Sequence, residues 1–438
     1  MKKALESGSY PEYIGLEGPY LSSDPSCTDI VSYFESLWPN YLMELIVVET
    51  NRYAREHRKR ASWVDVTKDE LSTFLGIILV IGWHKLPRIR DMWSADPYCG
   101  IPEVQKHMSR SRFWEIWTSI HLVDNSKLSS GDGITAKVKP LLDVLADTFF
   151  RSYSPGQELS VDEAMVKYKG HVKRGRVSMP KKPIKKGFKI WCCCCCCCGY
   201  LCTFQVYEGR PINPATGKQM EEKGLVKRVV KDLVTPFSDL NHVVYCDNFF
   251  TSGPLVDELA QLKIFVAGTI QRRALGFPSS LKGVDVPQNK YVSQRVGDTC
   301  YFTFRDRKLV SFVSNAFPEC MDGMVARIPP EGGCFRNQSV PPLLPAYNKY
   351  MGAVDTLSQI RKTYGYDRKS RRYWLRLFYQ FFDYAVNNAH ILYTHDCRQY
   401  KVVAMTQYDF RRCLANSLMK DTRGRKRPAL QSTELEVR

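Results

Sequence analysis

The stretch Asn241–Leu255, NHVVYCDNFFTSGPL, constrains this chain most, because it sets a carboxylate at the junction of an apolar strand and a helix. Val243, Val244 and Tyr245 read as a buried strand, and Thr251, Ser252 and Pro254 open a helix carrying Leu255, Leu259 and Leu262. Asp247 falls between them, at the strand's carboxyl end. Crevices outside such ends are where open α/β sheets bind ligands. On its own, an aspartate there is more often a turn or capping residue than a functional one.

Two further stretches supply companions. Glu158–Val166, ELSVDEAMV, alternates Leu159 and Val161 with Ser160 and Asp162, so a half-buried strand carries Ser160 and Asp162 to one side. In Tyr347–Tyr364 the residues Tyr350, Val354, Leu357, Arg361 and Tyr364 keep helical spacing, with Asp355 at the flank of the stripe. Acids from a strand, a strand end and a helix edge can meet without any local motif. Carboxylates suit Mg²⁺ or Mn²⁺, and two such ions ~3.5–4 Å apart hold the nucleophilic and leaving oxygens of a phosphoryl transfer in line. Spacing alone, however, does not single out these three among 45 acidic residues.

The segments VDE at Val161, MPKKPIKKGFKIW at Met179, YCDNFFTS at Tyr245, AGTIQRR at Ala267 and YNKYMGAVD at Tyr347 do so as a set. In order and spacing they resemble the piggyBac transposase family over nearly the whole chain. The resemblance implies an α/β fold with a ribonuclease H-like catalytic core. It also implies metal-dependent DNA strand cleavage and transfer by three aspartates, which correspond to Asp162, Asp247 and Asp355, with two Mg²⁺ or Mn²⁺ ions. Double-stranded DNA as partner, a homodimer and a nuclear location follow from the same likeness.

Three departures keep other functions open. Many members carry a further aspartate three residues beyond Asp355, where this chain has Ser358; Asp367 lies past Gly365 in a turn and is no clear replacement. Cys192–Cys198 is a run of seven cysteines where the family has a strand, an Asp-containing turn and a Gly-Tyr pair, the last retained as Gly199 and Tyr200. Neighbouring strand side chains face opposite ways, so the run reads as low-complexity substitution and not as a tetrahedral metal site. The family's terminal zinc module is not evident, since no cysteine follows Cys413. The alternatives are a catalytically inactive, domesticated nuclear DNA-binding protein with the transposase fold, and a nuclease without strand joining.

A chain of 438 residues exceeds what one core usually spans. Residues 1–27 read as an N-terminal tail. Residues 28–157 read as a helical dimerisation and DNA-binding domain completed by 365–420, with Thr67 and Glu70 as a capping box. Residues 158–270 form the catalytic core, completed by 346–364. The Gly- and Pro-rich segment 271–345 reads as a small inserted β-rich domain, and 421–438 as a basic tail. The pattern from Arg371 to Tyr393 predicts one long helix with an apolar face packed on the N-terminal helices.

The net charge of +18 favours a polyanionic partner, and its spread over many motifs favours nucleic acid over a membrane surface. Five lysines, Lys181, Lys182, Lys185, Lys186 and Lys189, follow the first catalytic strand and read as phosphate contacts rather than a solvated loop. Arg272, Arg273, Arg368, Lys369, Arg371 and Arg372 extend that surface, where Tyr366 and Tyr373 either stack on unpaired bases or pack. The basic run Glu56–Arg60 reads as a solvated helix end rather than a phosphate contact. RGRKR at Arg423 reads as a nuclear import signal, a DNA-binding tail or a plain terminus. No secretory signal opens the chain, and the longest apolar run, Phe74–Trp83, is half of the ~20 residues a membrane helix needs. The sixteen cysteines therefore read as reduced thiols.

Overall fold

Two short strands, β1 (Gly18–Pro19) and β2 (Tyr153–Ser154), pair antiparallel. Nine more form one mixed sheet: β3 (Glu158–Lys167), β4 (Arg176–Ser178), β5 (Lys186–Cys195), β6 (Leu201–Val206), β7 (Val243–Cys246), β8 (Phe265–Thr269), β9 (Tyr291–Val296), β10 (Thr299–Arg305) and β11 (Leu309–Ser314). A last pair, β12 (Gly323–Arg327) and β13 (Arg336–Val340), stands apart from that sheet. This is a computed structural model that describes residues 12–57, 63–129, 131–180, 182–210, 224–318, 323–327 and 336–420. Lys181, part of the Glu56–Arg60 run and the RGRKR segment lie outside the described residues.

The heart of the sheet runs β6-β5-β3-β7-β8. Its first three strands are antiparallel, whereas β3, β7 and β8 are parallel. Parallel neighbours need a crossover, and the helix Gly253–Gln261 supplies it between β7 and β8. This is the ribonuclease H-like α/β arrangement. β3 differs from its sequence pattern in one respect: Leu159 to Val166 are all buried. A strand covered on both faces has no wet side, so alternation does not sort its residues, and Glu163 is enclosed along with Asp162.

The segment 271–345 does not build a sheet of its own from β9, β10 and β11. Instead β11 pairs antiparallel with β8 and continues the core sheet outward. That pairing occupies hydrogen-bonding groups that β8 would otherwise expose as an edge. Phe302, Phe304 and Phe312 then pack with Tyr245, Phe265 and Tyr347 in a cluster on this part of the sheet.

Helices from both ends of the chain share one hydrophobic core with the sheet. The Thr67 capping box opens the helix Lys68–His84, and every residue from Glu70 to Gly82 is buried. The helix Trp374–Gln399 was predicted to present one apolar face, yet it is enclosed on nearly all sides, Arg376, Asp383, Asn388 and Asp396 included. Tertiary partners make this affordable. Asn388 donates to the Leu201 carbonyl and accepts from its N–H, both at 3.0 Å, and Asp396 accepts from Ser22, Ser23 and Tyr33. Among the described residues, no helix is long and apolar enough to cross a membrane.

Candidate active site

β3 and β7 run parallel, with Val161 opposite Cys246 as their last paired residues. Asp162 is the next residue on β3 and Asp247 the first residue past the end of β7, so both follow directly on the last pair of two strands that lie ~4.8 Å apart. The Asp247 side chain also holds its own turn, accepting from the Phe249 N–H at 2.8 Å, while its carbonyl accepts from the Thr251 hydroxyl at 2.8 Å. It is therefore both a turn residue and a member of the site.

The third acid arrives on the helix Ala353–Tyr364, which packs on β3 and β5. The sequence pattern ran as one helix from Tyr347, but the structure breaks it at Met351–Gly352 into Leu344–Tyr350 and Ala353–Tyr364. At that break the buried Ser160 hydroxyl donates to the Met351 carbonyl at 2.9 Å. One β3 side chain thus fixes the start of the helix bearing Asp355, two residues before Asp162 itself.

Lys182 is the group these acids share. Its ammonium lies 3.7 Å from Asp162 and 3.3 Å from Glu163. Burial opposes its charge, but Asp162, Glu163 and Asp355 together hold the Lys182 pKa above the usual lysine range. Burial, with Glu163 adding, pushes the Asp247 carboxyl up, while Lys182 pulls it down. Lys182 therefore acts on both strand aspartates.

Asp162 carries the largest perturbation of the three. Burial first, then Glu163, raises it from 3.8 to about 7, against the pull of Lys182. A folded-state pKa above the unfolded one means that this group's favourable contribution is full below about pH 4 and fades as pH rises toward 7. Asp162→Asn is accordingly expected to raise the melting temperature of the metal-free chain near pH 8 and to change it little below about pH 4. Thermal unfolding at the two pH values reads this directly.

Glu163 is the residue that sequence reasoning missed. Its Oε2 is buried without a hydrogen-bond partner, while Oε1 faces Lys182. Adjacent acids inside an otherwise apolar strand were the available signal, but alternation had assigned Glu163 to the other face. Asp162, Glu163, Asp247 and Asp355 offer oxygen donors only; Asp162 and Glu163 meet Lys182 at 3.7 and 3.3 Å, and one Glu163 oxygen is left without a partner. That chemistry fits Mg²⁺ or Mn²⁺. The three aspartates do not themselves close into a tight cluster: among the described residues, only Cys195, Cys197 and Cys198 bring three ligand atoms within 4.8 Å of one another.

The predicted basic surface divides. Lys185, Lys186, Arg273, Lys369 and Arg371 are exposed. Lys189 is buried in the site floor, 4.6 Å from the Phe249 ring centroid and 5.8 Å from that of Trp191. Arg272 is half-buried and donates to the Lys282 carbonyl at 3.1 Å. Arg368 and Arg372 face inward: Arg368 donates to the carbonyls of Leu86 and Pro87, and Arg372 to those of Trp117, Thr118 and Ile120. These two guanidiniums tie the linker before Trp374 to the N-terminal helices. Tyr366 is buried against Trp117 and Tyr379, so it packs, and Tyr373 meets Phe188 edge-on. Asp367 is taken up by Arg376, which holds its carboxyl below the usual range although burial works the other way. It is no substitute for the acid missing at Ser358.

A family model described as Transposase IS4 matches residues 29–390. The human PiggyBac transposable element-derived protein 2 is 27% identical over 413 residues, a match that covers 91% of this chain and 68% of that protein. The human PiggyBac transposable element-derived protein 3 is 28% identical over 334 residues, covering 72% of this chain and about half, 52%, of that protein. Among solved structures, a cryo-EM structure of the piggyBac transposase synaptic complex with hairpin DNA superimposes with a TM-score of 0.79 at 24% identity. It covers 92% of this chain and 83% of that one, which is a likeness of fold. With a family match spanning the helical region and the whole acidic site, the chain belongs to the IS4/piggyBac family of transposases.

Proposed function

We propose that this protein cleaves and joins DNA strands, with Asp162, Asp247 and Asp355 as its catalytic carboxylates and Glu163 beside them. The observation that carries the reading is the single ammonium of Lys182, on which acids from a central strand and a helix act together and which in turn acts on the acid at the neighbouring strand end. When bound, two Mg²⁺ or Mn²⁺ ions would supply activation of the attacking oxygen and stabilisation of the leaving one. The chain's own part is placement. β3 and β7 set two carboxylates side by side, and Ser160 anchors the helix that brings the third. Exposed Lys185 and Lys186, on the loop and strand that follow Lys182, are placed to hold the DNA backbone, and work on double-stranded DNA as a homodimer in the nucleus completes the reading.

If the lysines contact phosphate, affinity for duplex DNA falls steeply with salt. Lys185→Glu combined with Lys186→Glu is expected to lower the slope of log affinity against log salt by about 2. An unchanged slope in a binding titration would place the DNA elsewhere.

The DNA-binding relic is favoured by one feature, Ser358, which stands half-buried one helical turn from Asp355 without a charge. With Glu163 engaged by Lys182, the three aspartates balance two divalent ions less well than they would with a further carboxylate at position 358. Weak, Mn²⁺-favoured nicking is therefore expected of the native protein, with a gain of roughly tenfold on Ser358→Asp that vanishes when Asp162→Ala is added. Nicking measured across a metal titration decides this, and an inert Ser358→Asp variant at saturating metal would favour the relic.

A further inference from the structure

The cysteine run does not stay on its strand. β5 ends at Cys195, and Cys196, Cys197 and Cys198 form a turn that closes with Gly199 in the left-handed region, φ 80°. Alternation along a strand argued against one metal site, but it stops applying at this point. The turn folds back and brings the sulfurs of Cys195, Cys197 and Cys198 within 4.8 Å of one another. Sulfurs of a tetrahedral zinc site, with Zn–S bonds of about 2.3 Å, stand about 3.8 Å apart, so Cys195 and Cys197, whose sulfurs are 2.8 Å apart, would part by about 1 Å to take the ion.

A carboxylate from a distant part of the sequence reaches one of the three sulfurs. Glu17, just before β1, places Oε1 2.7 Å from the Cys197 sulfur and 3.1 Å from the Tyr153 hydroxyl, which in turn lies 3.4 Å from the Cys198 sulfur. Gly156 keeps the cradle open: a Cβ there would lie 2.7 Å from Glu17 Oε2 and 3.4 Å from the Cys197 sulfur. The Gly156 N–H also donates to the Cys195 sulfur at 3.4 Å, the kind of outer bond that orients a thiolate ligand.

We propose that Cys195, Cys197 and Cys198 bind a zinc ion at the end of the core sheet, and that the Glu17 carboxylate, which already meets Cys197, swings in as its fourth ligand and staples the N-terminal segment there. The site is separate from the catalytic one. Cys195 pairs with Leu159 on β3, three residues from Asp162, or roughly 10 Å along the strand. Its donors differ in kind as well, since three soft sulfurs select zinc where the all-carboxylate site selects Mg²⁺ or Mn²⁺. Binding one Zn²⁺ forms three Zn–S bonds and one Zn–O bond, and any proton carried by a ligating sulfur is released to solvent. Cys192 and Cys194 are enclosed in β5 and take no part.

The test uses the full chain, reduced and stripped with a chelator, then titrated with Co²⁺ and Zn²⁺ in weak buffer. One equivalent of Co²⁺ is expected to give thiolate-to-metal charge-transfer and tetrahedral d–d bands, which Zn²⁺ bleaches by displacing Co²⁺ from the same sulfurs. Cys197→Ser with Cys198→Ser should abolish the bands, Glu17→Gln should weaken affinity at least about tenfold, and Cys192→Ser should leave both intact. Zinc should raise the melting temperature of the native chain and of Cys192→Ser but not of the double variant. Charge-transfer bands that persist in the double variant, or no bands in the native chain, would overturn the proposal. So would a freshly purified protein whose mass is lower by two hydrogens and whose Cys195 is in a disulfide, because the turn would then be a redox pair.

Discussion

Asp162→Ala is expected to reduce metal-dependent DNA nicking by about a thousandfold or more while leaving the chain folded. A factor of a thousand corresponds to about 4 kcal/mol of barrier, the scale on which a lost metal ligand acts. Asp162 is singled out because it is the most deeply buried of the three aspartates, and it faces the cation that the site already holds. Its removal leaves Glu163 to pair with Lys182, so the local charge stays compensated and the fold has no reason to fail. Nicking and strand joining are measured with Mg²⁺ and with Mn²⁺ beside a circular dichroism control. Activity within tenfold of the native protein would remove Asp162 from the chemistry and, with it, the reading of the acidic site.

Asp383→Ala is expected to destabilise the protein by about 3–5 kcal/mol, the largest single-residue loss of stability among the described charges. Asp383 lies inside the helix Trp374–Gln399, 3.2 Å from Arg411 and 3.9 Å from Arg361, and all three are buried. It also accepts from the Tyr366 N–H at 3.2 Å. Burial raises the Asp383 carboxyl and lowers the Arg411 guanidinium, so each half is costly to charge, and their attraction only offsets that cost. Removing the carboxylate strands two buried guanidiniums. Asp383→Leu combined with Arg411→Met removes both members and is expected to recover much of the loss, as read by urea unfolding. A single alanine variant within 1 kcal/mol of the native protein would mean water reaches these arginines.

Local sequence signals were dependable where the answer was itself local. The strand, turn and helix around Asp247 follow from a run of valines, a polar junction and a proline at the helix start, and each acts on its immediate neighbours. The Thr67 capping box is likewise a contact between residues three apart. The three aspartates proposed as the site were singled out in a different way, by the order and spacing of whole motifs, because periodicity could not choose among so many acids.

What the sequence by itself determined was therefore the set of elements, their order, and the family whose motifs they carry. Tertiary structure alone decided which charges remain free. Arg368 and Arg372 looked like a basic surface until carbonyls some 250 to 280 residues earlier in the chain claimed them. Glu163 fell by alternation on the apolar side of β3 until the fold buried both faces of the strand and set its carboxylate against Lys182, and Lys182 looked like a DNA contact until it met Asp162 and Glu163. Cys195, Cys197 and Cys198 looked dispersed until a turn folded them together with Glu17. The reason is common to all four cases. Hydrophobic periodicity records which side of an element is dry, whereas the fate of a charge or a thiol depends on which distant partner the closed fold brings within a few ångströms.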